Sequence, residues 1–169
     1  MTQPQLLPQP LSPNDAVDTP DWCAADMVQY FTPTGLVLEP ALGDGAIYRH
    51  LPPGSQYCEI RQERDFFAFT EPVDWIISNP PYSLLKEFTC HAFEISDNVL
   101  WLMPVHSYFR AWRLVLAAHR YGGLAAIRYY GSGHALGFAM GNPIGALHWK
   151  RLYDGPVHIS FYQPASGGR

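Results

Sequence analysis

Short apolar runs alternate along the chain with longer stretches whose apolar residues have helical spacing. The runs are rich in Val, Ile, Leu and aromatic residues, which is typical of strands that are buried on both faces of a sheet. They span residues 36–39, 57–60, 73–78, 98–103 and 124–130. Stretches of helical length lie between them, at about 44–51, 82–95 and 107–120. This alternation predicts an α/β fold with a doubly wound, mostly parallel sheet.

The N-terminal part of the chain does not follow this alternation. Residues 1–18 contain four prolines and little periodicity, so we expect them to form a disordered arm. Thr19 as the N-cap and Pro20 at the first helical position then predict a helix. That helix is predicted to end before Pro33, because proline cannot continue it.

The C-terminal part differs because no helix separates its last strands. Five glycines fall in residues 131–145, and the apolar segments 146–152 and 157–162 then flank a turn signal at Asp154-Gly155. Strands that are joined without a helix are largely antiparallel. The sheet is therefore predicted to end in an antiparallel hairpin.

Length and composition limit the kind of protein this can be. The chain has 169 residues, 47% of them hydrophobic, which suits one domain with its own core, expected over 19–163 with a flexible tail at 164–169. No apolar run approaches the ~18–20 residues that cross a bilayer, and no secretory signal is recognisable, which predicts a soluble, cytoplasmic protein without a membrane partner. Three widely spaced cysteines, and histidines without ligand spacing, predict neither a disulfide framework nor a metal site.

Charge is distributed unevenly between the two halves of the chain. Residues 1–97 hold 14 acidic and four basic residues, whereas residues 98–169 hold one acidic and seven basic residues. A single surface that faces a polyanion explains this asymmetry, and the alternative is that the arginines are scattered over separate faces. On the first explanation four basic side chains contact a nucleic-acid backbone, namely Arg110, Arg113, Lys150 and Arg151.

The first predicted strand leads directly into a glycine-containing turn, Glu39–Gly45. Gly43 and Gly45 form a GxG pattern, which lets a ligand approach bare backbone but is weak on its own. Glu59 lies 20 residues after the start of this turn, at the end of the second predicted strand, where a carboxylate can accept both hydroxyls of a ribose. Asp65-Phe66 follows, with a carboxylate for the amino group of an adenine and a ring for its face. Together these segments predict an adenosine-binding edge of the sheet.

The third predicted strand ends in Asn79-Pro80-Pro81-Tyr82. An amino group attached to an aromatic ring is a poor nucleophile because its lone pair is delocalised. The Asn79 side-chain oxygen and the Pro80 carbonyl can hold the two amino protons and direct the lone pair at an electrophilic methyl group. The consecutive prolines fix φ and make this arrangement rigid. Tyr82 supplies a flat face for stacking on the base.

With these motifs in this order, the sequence resembles S-adenosylmethionine-dependent DNA methyltransferases that modify the amino group (N6) of adenine. The resemblance covers residues 19–153 and includes Thr19-Pro20-Asp21-Trp22 as the N-terminal cofactor motif of a permuted class. It implies a Rossmann-like sheet of seven strands and S-adenosylmethionine as the cofactor. The cofactor-binding positions that it implies are Thr19, Pro20, Trp22, Glu39, Pro40, Ala41, Gly43, Gly45, Glu59, Ile60, Asp65, Phe66 and Asn79, and the catalytic positions are Asn79, Pro80, Pro81 and Tyr82.

The resemblance also implies that the target adenine swings out of the duplex into the pocket. Tyr82 is then one face of the sandwich around the base, and Phe138 in the glycine-rich segment is the best match for the other. The sequence departs from the pattern at Asp44, in the middle of the GxG, and in showing no target-recognition segment. Low sequence specificity is therefore expected. A homodimer and a separate specificity partner both stay open.

DNA is the expected partner, with RNA as the weaker alternative. Similar NPPY motifs occur in enzymes that methylate RNA bases or protein glutamine side chains, and a glutamine amide needs the same two acceptors. The basic second half favours a nucleic acid over a protein. A further alternative is a subunit that binds nucleic acid without catalysis, although such subunits usually lose the glycine or the NPPY motif. His106 and Ser107, which follow the strand predicted at 98–103, are weaker candidates for substrate contact.

Overall fold

The computed structural model describes residues 18–138 and 141–163 of the chain. The predicted arm and tail therefore lie, apart from Asp18, outside the described residues. Four helices and seven strands follow one another in the order α1 (Asp21–Phe31), β1 (Val37–Glu39), β2 (Gln56–Tyr57), β3 (Val73–Ser78), α2 (Leu85–Ile95), β4 (Ser96–Pro104), α3 (Val105–Arg110), α4 (Trp112–Tyr121), β5 (Gly122–Ser132), β6 (Pro143–Arg151) and β7 (His158–Phe161).

All seven strands belong to one sheet, in the order β2-β1-β3-β4-β6-β5-β7. Neighbours from β2 to β4 are parallel, whereas β6 is antiparallel to both β4 and β5. The predicted α/β fold, mostly parallel with an antiparallel hairpin at its end, is confirmed. The hairpin is formed by β5 and β6. The segment that contains the turn at Asp154-Gly155 instead leads β7 to the outer side of β5, where it runs parallel to that strand.

Helices cover both faces of this sheet, as a doubly wound fold requires. Met27 of α1 packs in the core on one face together with Leu102 of β4. Trp101, the preceding residue of β4, points to the opposite face, where Phe88 of α2 and Leu114 of α4 contact the same core. Successive strand residues alternate between the two faces, so β4 is apolar on both sides. This explains why its sequence is a continuous apolar run.

Two predicted helices differ from the observed ones. The stretch 44–51 contains only a single 3-10 turn at Tyr48–His50, since the Pro-Pro-Gly sequence at 52–54 leaves too few residues for a regular helix. The stretch 107–120 is divided at Ala111, whose φ of −90° and ψ of 75° are not helical. α3 and α4 therefore meet at a bend, and α3 begins directly after β4.

The start of α1 also differs from the prediction. Pro20, and not Thr19, occupies the N-cap position, and no side chain of the described residues caps the helix there. The Pro20 carbonyl accepts the first backbone hydrogen bonds of the helix, from Cys23 and Ala24. The Thr19 hydroxyl is left to make a contact outside the helix, with Asn79.

None of the helices in the described part of the chain is both long and apolar enough to cross a bilayer. Residues 18–138 and 141–163 also contain no group of three or more His, Cys, Asp or Glu side chains that could hold a metal ion. The three cysteines are free thiols, with Cys23 and Cys58 buried and Cys90 half-buried.

Candidate functional site

The carboxyl ends of β1, β2 and β3 lie at one edge of the sheet, because β1 pairs in parallel with both neighbours. The segment Glu39–Gly45 starts at the last residue of β1, Glu59 lies just beyond β2, and Asn79–Tyr82 follows β3 directly. The structure therefore brings together at one edge the three motifs that the sequence indicated. This edge is the candidate functional site.

Glu39 is a buried carboxyl group at the centre of this edge. It is 2% exposed, and its Oε2 atom has no hydrogen-bond partner among the described residues. Burial raises the pKa of Glu39 to about 9, against a hydrogen bond from the Tyr48 backbone that lowers it, and the nearby carboxylates of Asp44 and Glu59 raise it further. Pro40-Ala41 continues into the turn, with the proline buried and the alanine half-buried.

The glycine turn is held to the end of β2 by Glu59. The Gly43 backbone N–H donates to Glu59 Oε2 at 3.0 Å, and the Arg61 N–H donates to Oε1 at 3.1 Å. Gly43 and Gly45 have φ of 56° and 79°, a region that glycine adopts without strain. A β-carbon added to Gly43 would meet no described atom within 4 Å, so this turn faces open space in front of the carboxylate. Asp44 is exposed and accepts from the turn's own backbone.

The residues predicted to hold an adenine are arranged differently from the prediction. Phe66 is 3% exposed and packs in the core, with its ring centroid 4.9 Å from that of Phe88. It offers no open face to a ligand. Asp65 is exposed and accepts from the Phe67 backbone at 3.0 Å. Ile60, which is 44% exposed, presents apolar surface near the same edge.

Asn79 lies between two hydroxyl groups. Its Nδ2 donates to Thr19 Oγ1 at 3.1 Å, and its Oδ1 accepts from the Tyr82 hydroxyl at 2.9 Å. Pro80 and Pro81 are buried, and Thr19 is 8% exposed. Burial raises the pKa of Tyr82, so the phenol stays protonated and acts as the donor. The sequence predicted each of these residues for the site but not their direct connection.

Trp22 lies against the carboxyl ends of β5 and β7, on the other side of the sheet from β1 and β2. Its ring stacks on Tyr162 with centroids 4.8 Å apart and meets Tyr130 edge-on at 5.9 Å. Trp22 therefore joins α1 to β5 and β7, and its cofactor contact stays a prediction. The Pro20 carbonyl is likewise used to start α1.

Phe138 is 4% exposed and belongs to the core on the α1 face of the sheet. Tyr82 packs against the core of the opposite face. The two rings do not face each other in this conformation, so a sandwich around a base requires the segment of Phe138 to move. Its role in stacking stays a prediction.

A cleft of about 520 Å³ opens beside Tyr82. Lys86 from the first turn of α2 and Arg110 from the end of α3 line it, and neither forms an ion pair in the described parts of the chain. His106 and Ser107, named as weaker candidates, line the same cleft. The sequence analysis missed Lys86, although its position one helical turn after the NPPY motif is a usable signal. Further residues that line the cleft are Ser83, Leu85, Glu87, Ala111 and Leu114.

The four basic residues predicted to contact a nucleic-acid backbone do not lie close together in the structure. Lys150 pairs with Asn98 near the start of β4, at the edge of the sheet opposite to Asn79. Arg151 is bound there as well, with Nε donating to Asp97 at 2.8 Å and the guanidinium donating to two backbone carbonyls near the end of α2. Arg110 faces the cleft and Arg113 is exposed on the first turn of α4. The four predicted backbone contacts are therefore divided between opposite edges.

Solved structures of several methyltransferases have the same fold. A candidate RNA methyltransferase from Pyrococcus horikoshii has a TM-score of 0.62 at 14% identity, covering 77% of this chain and 84% of that one. A methyltransferase subunit of a type I restriction-modification system from Streptococcus thermophilus has a TM-score of 0.63 at 12% identity, covering 86% and 47%. TrmN from Thermus thermophilus has a TM-score of 0.52 at 18% identity, covering 77% and 48%.

At these identities the similarity establishes the fold, which is the Rossmann-like methyltransferase fold. The chain spans about half the length of the type I subunit and of TrmN. Neither a protein-family profile nor a curated protein matches this sequence.

Proposed function

We propose that this protein transfers a methyl group from S-adenosylmethionine to the exocyclic amino group of adenine in DNA. The observation that carries the proposal is the position of Asn79–Tyr82, at the same sheet edge as Glu39–Gly45 and Glu59. On this proposal the adenosine of the cofactor and the target amino group bind side by side. The fold supports methyl transfer, since proteins with the same fold are methyltransferases.

The residues at the edge fit this cofactor. Each Glu59 oxygen accepts one backbone hydrogen bond and keeps a lone pair for a ribose hydroxyl. Gly43 has open space in front of it, as close approach of a ligand to the backbone requires. Glu39 Oε2 is buried without a described partner, which suits a hydrogen-bonding group of a ligand. When bound, S-adenosylmethionine supplies an electrophilic methyl group on a positively charged sulfur.

The chain's own residues prepare the amino group. Asn79 Oδ1 and the Pro80 carbonyl are acceptors for the two amino protons, and holding both turns the nitrogen lone pair towards the methyl group. The prolines lack N–H groups and fix φ, so their backbone brings no competing donor to these acceptors. When S-adenosylmethionine is bound, the electron pair of the S–C bond would remain on sulfur as the methyl group leaves, and one amino proton would leave to water. Tyr82 stacks on the base.

We assign the contacts with nucleic-acid phosphates to the cleft beside Tyr82. Lys86 and Arg110 carry positive charge beside Tyr82 and have no described ion-pair partner. Such contacts hold a strand without recognising its sequence, so we expect low specificity from this chain. A specificity subunit, as the likeness to a type I methyltransferase subunit suggests, is the alternative source of recognition.

Methyl transfer is tested with radiolabelled S-adenosylmethionine on duplex DNA, single-stranded DNA and RNA, followed by mass spectrometry of the nucleosides. We expect N6-methyldeoxyadenosine. Asn79→Ala should lower the rate about a hundredfold or more while cofactor binding stays nearly unchanged. Gln29→Ala, which changes an exposed amide on α1, is the matched control. Methylated RNA or protein, or normal turnover by Asn79→Ala, would contradict the proposal.

Cofactor binding is tested separately by isothermal titration. Glu59→Ala removes a charged acceptor and should weaken S-adenosylmethionine binding roughly tenfold to a hundredfold. Glu63→Ala, an exposed acid four residues away, should leave the dissociation constant unchanged. Equal affinity of the Glu59→Ala and wild-type proteins would refute the assignment of Glu59.

The salt dependence of DNA binding tests whether the cleft beside Tyr82 holds phosphate groups. Each lost phosphate contact should lower the slope of log affinity against log salt by about 1. We expect this for Lys86→Gln and for Arg110→Gln. Lys150→Gln, at the opposite edge, is the matched control and should leave the slope unchanged. If Lys150→Gln had the larger effect, the nucleic acid would bind elsewhere.

A further inference from the structure

Three side chains far apart in sequence form one hydrogen-bond chain at the site. Thr19 precedes α1, Asn79 and Tyr82 follow β3, and the two hydrogen bonds are 3.1 Å and 2.9 Å long. Thr19 is held in place because the first turns of α1 are anchored in the core by Cys23 and Met27, both buried. The proposed function uses Asn79 and Tyr82, whereas Thr19 has only the cofactor contact that the sequence resemblance implies.

Thr19 holds the Asn79 amide in place at the site. An asparagine side chain has a donor end and an acceptor end of nearly the same shape. With Nδ2 bound to the Thr19 oxygen, Oδ1 points to the other side, where the NPPY motif continues. A hydroxyl can donate as well as accept, so this contact fixes the position of the Asn79 amide and not by itself which end is the acceptor. In the structure Nδ2 takes the Thr19 side, and Oδ1 is the atom that the Tyr82 hydroxyl reaches.

Tyr82 occupies that acceptor in the structure. Its hydroxyl donates to Asn79 Oδ1, and its ring is half-buried against the core of the α2 face. An amino group that approaches Oδ1 meets the phenol in the same place. Movement of Tyr82 away from Asn79 would remove the phenol from Oδ1 and at the same time expose the face of the ring. A neutral hydrogen bond is weak enough for a stacking base to replace it.

We propose that Thr19 is a positioning residue that orients the Asn79 amide, and that Tyr82 is a latch that covers the Asn79 oxygen until the target base stacks on its ring. This inference rests on the proposed function. It couples binding of the target base to exposure of the Asn79 oxygen. The latch also keeps the methyl-transfer position closed to other amines and to water in the absence of a base.

Thr19→Val tests the positioning role, because valine has the shape of threonine without the oxygen. We expect kcat to fall about tenfold or more, while the KM for DNA and the dissociation constant of S-adenosylmethionine change less than threefold. Thr19→Ser restores the oxygen and should recover most of kcat. If Thr19→Val weakens cofactor binding and leaves kcat unchanged, Thr19 is a cofactor contact and the positioning role is overturned. Thermal unfolding of each variant separates these effects from loss of the fold.

Tyr82→Phe tests the latch, because it keeps the ring and removes the hydroxyl. We expect kcat/KM for DNA to rise about threefold or more, whereas Tyr82→Ala should lower it by loss of the stack. A fall in kcat/KM of the Tyr82→Phe variant would overturn the latch. It would show that the hydroxyl assists the reaction.

A measurement without substrate tests the hydrogen-bond chain independently of catalysis. The Asn79 side-chain amide signals in 15N-edited NMR spectra should shift in both Thr19→Val and Tyr82→Phe, compared with wild type. Unchanged signals in both variants would refute the hydrogen-bond chain. If these signals shift but the wild-type protein methylates no nucleic acid, the proposed function fails and the network stands.

Discussion

Glu39 provides a test of the site that needs no ligand. Its carboxyl group is buried, one oxygen lacks a described partner, and burial raises its pKa to about 9 from an ordinary value of 4.5. At pH 7 the folded protein therefore holds a proton on Glu39, whereas the unfolded chain has lost it. The substitution Glu39→Gln keeps the shape and removes this titration.

The size and sign of the effect follow from the two pKa values. Between pH 4.5 and 9 the folded state binds one proton more than the unfolded state, so the free energy of unfolding falls as the pH rises. The slope is about 1.4 kcal/mol per pH unit, which amounts to about 3 kcal/mol at pH 7. Glu39→Gln carries no such cost, because glutamine is neutral in both states. We therefore expect Glu39→Gln to be the more stable protein at pH 7 and the difference to vanish near pH 4.5.

Urea denaturation at pH 5, 6, 7 and 8 measures this difference. Glu71→Gln, which changes an exposed glutamate, is the matched control and should follow the wild-type curve. A constant difference between Glu39→Gln and wild type at all four pH values would show that Glu39 does not titrate in this range. A Glu39→Gln protein that is less stable at pH 8 than wild type would refute the burial argument itself.

Three further predictions concern stability. Burial lowers the pKa of His148 to about 4, so the folded protein loses stability as the pH falls from 6.5 towards 4. In thermal melts at pH 5, His148→Gln should remove about 2 kcal/mol of that loss. The control substitution His158→Gln, at an exposed histidine, should not. Gly122→Ala should destabilise the protein by more than about 2 kcal/mol, because a β-carbon there overlaps backbone atoms at the end of β6. A urea-denaturation midpoint of Gly122→Ala equal to that of wild type would contradict this. Asp26 accepts two hydrogen bonds from Arg128, at 3.0 and 2.9 Å, in a largely buried pair. Asp26→Asn should therefore lower the free energy of unfolding by about 2 kcal/mol. Arg128→Lys should lower it less than Arg128→Ala. An Asp26→Asn protein as stable as wild type would show that the pair contributes nothing.

The strands were predictable because each carries its own signal. Most of β3 and β4 is buried on both faces, so both strands contain apolar runs that appear in the sequence without any knowledge of neighbours. The position of β7 was not predictable in the same way. The segment after β6 could lead β7 to either side of β5, and that choice is made by packing of Tyr129 and Tyr130 against residues 161 and 162.

The candidate site likewise has some residues whose position the sequence predicts and others whose position it does not. Glu39, Glu59 and Asn79 lie at strand ends, and parallel strands place their carboxyl ends together whatever the details of packing. Aromatic residues nearby carry no such constraint. Phe66 and Trp22 are apolar enough to be either ligand contacts or core, and the structure buries Phe66 beside α2 and stacks Trp22 on Tyr162. Local motifs therefore locate the edge, whereas the tertiary contacts decide which aromatic ring faces a ligand.

The unequal charge of the two halves has a structural cause that the sequence alone does not reveal. Arg128 in β5 binds Asp26 in α1, and Arg151 at the end of β6 binds Asp97 in β4, so arginines of the basic half pair with acids of the acidic half across the fold. Both arginines are used in joining distant parts of the chain. Separation of charge along a sequence is therefore no measure of separation in space, and the positive charge beside the site comes from Lys86 of one half and Arg110 of the other.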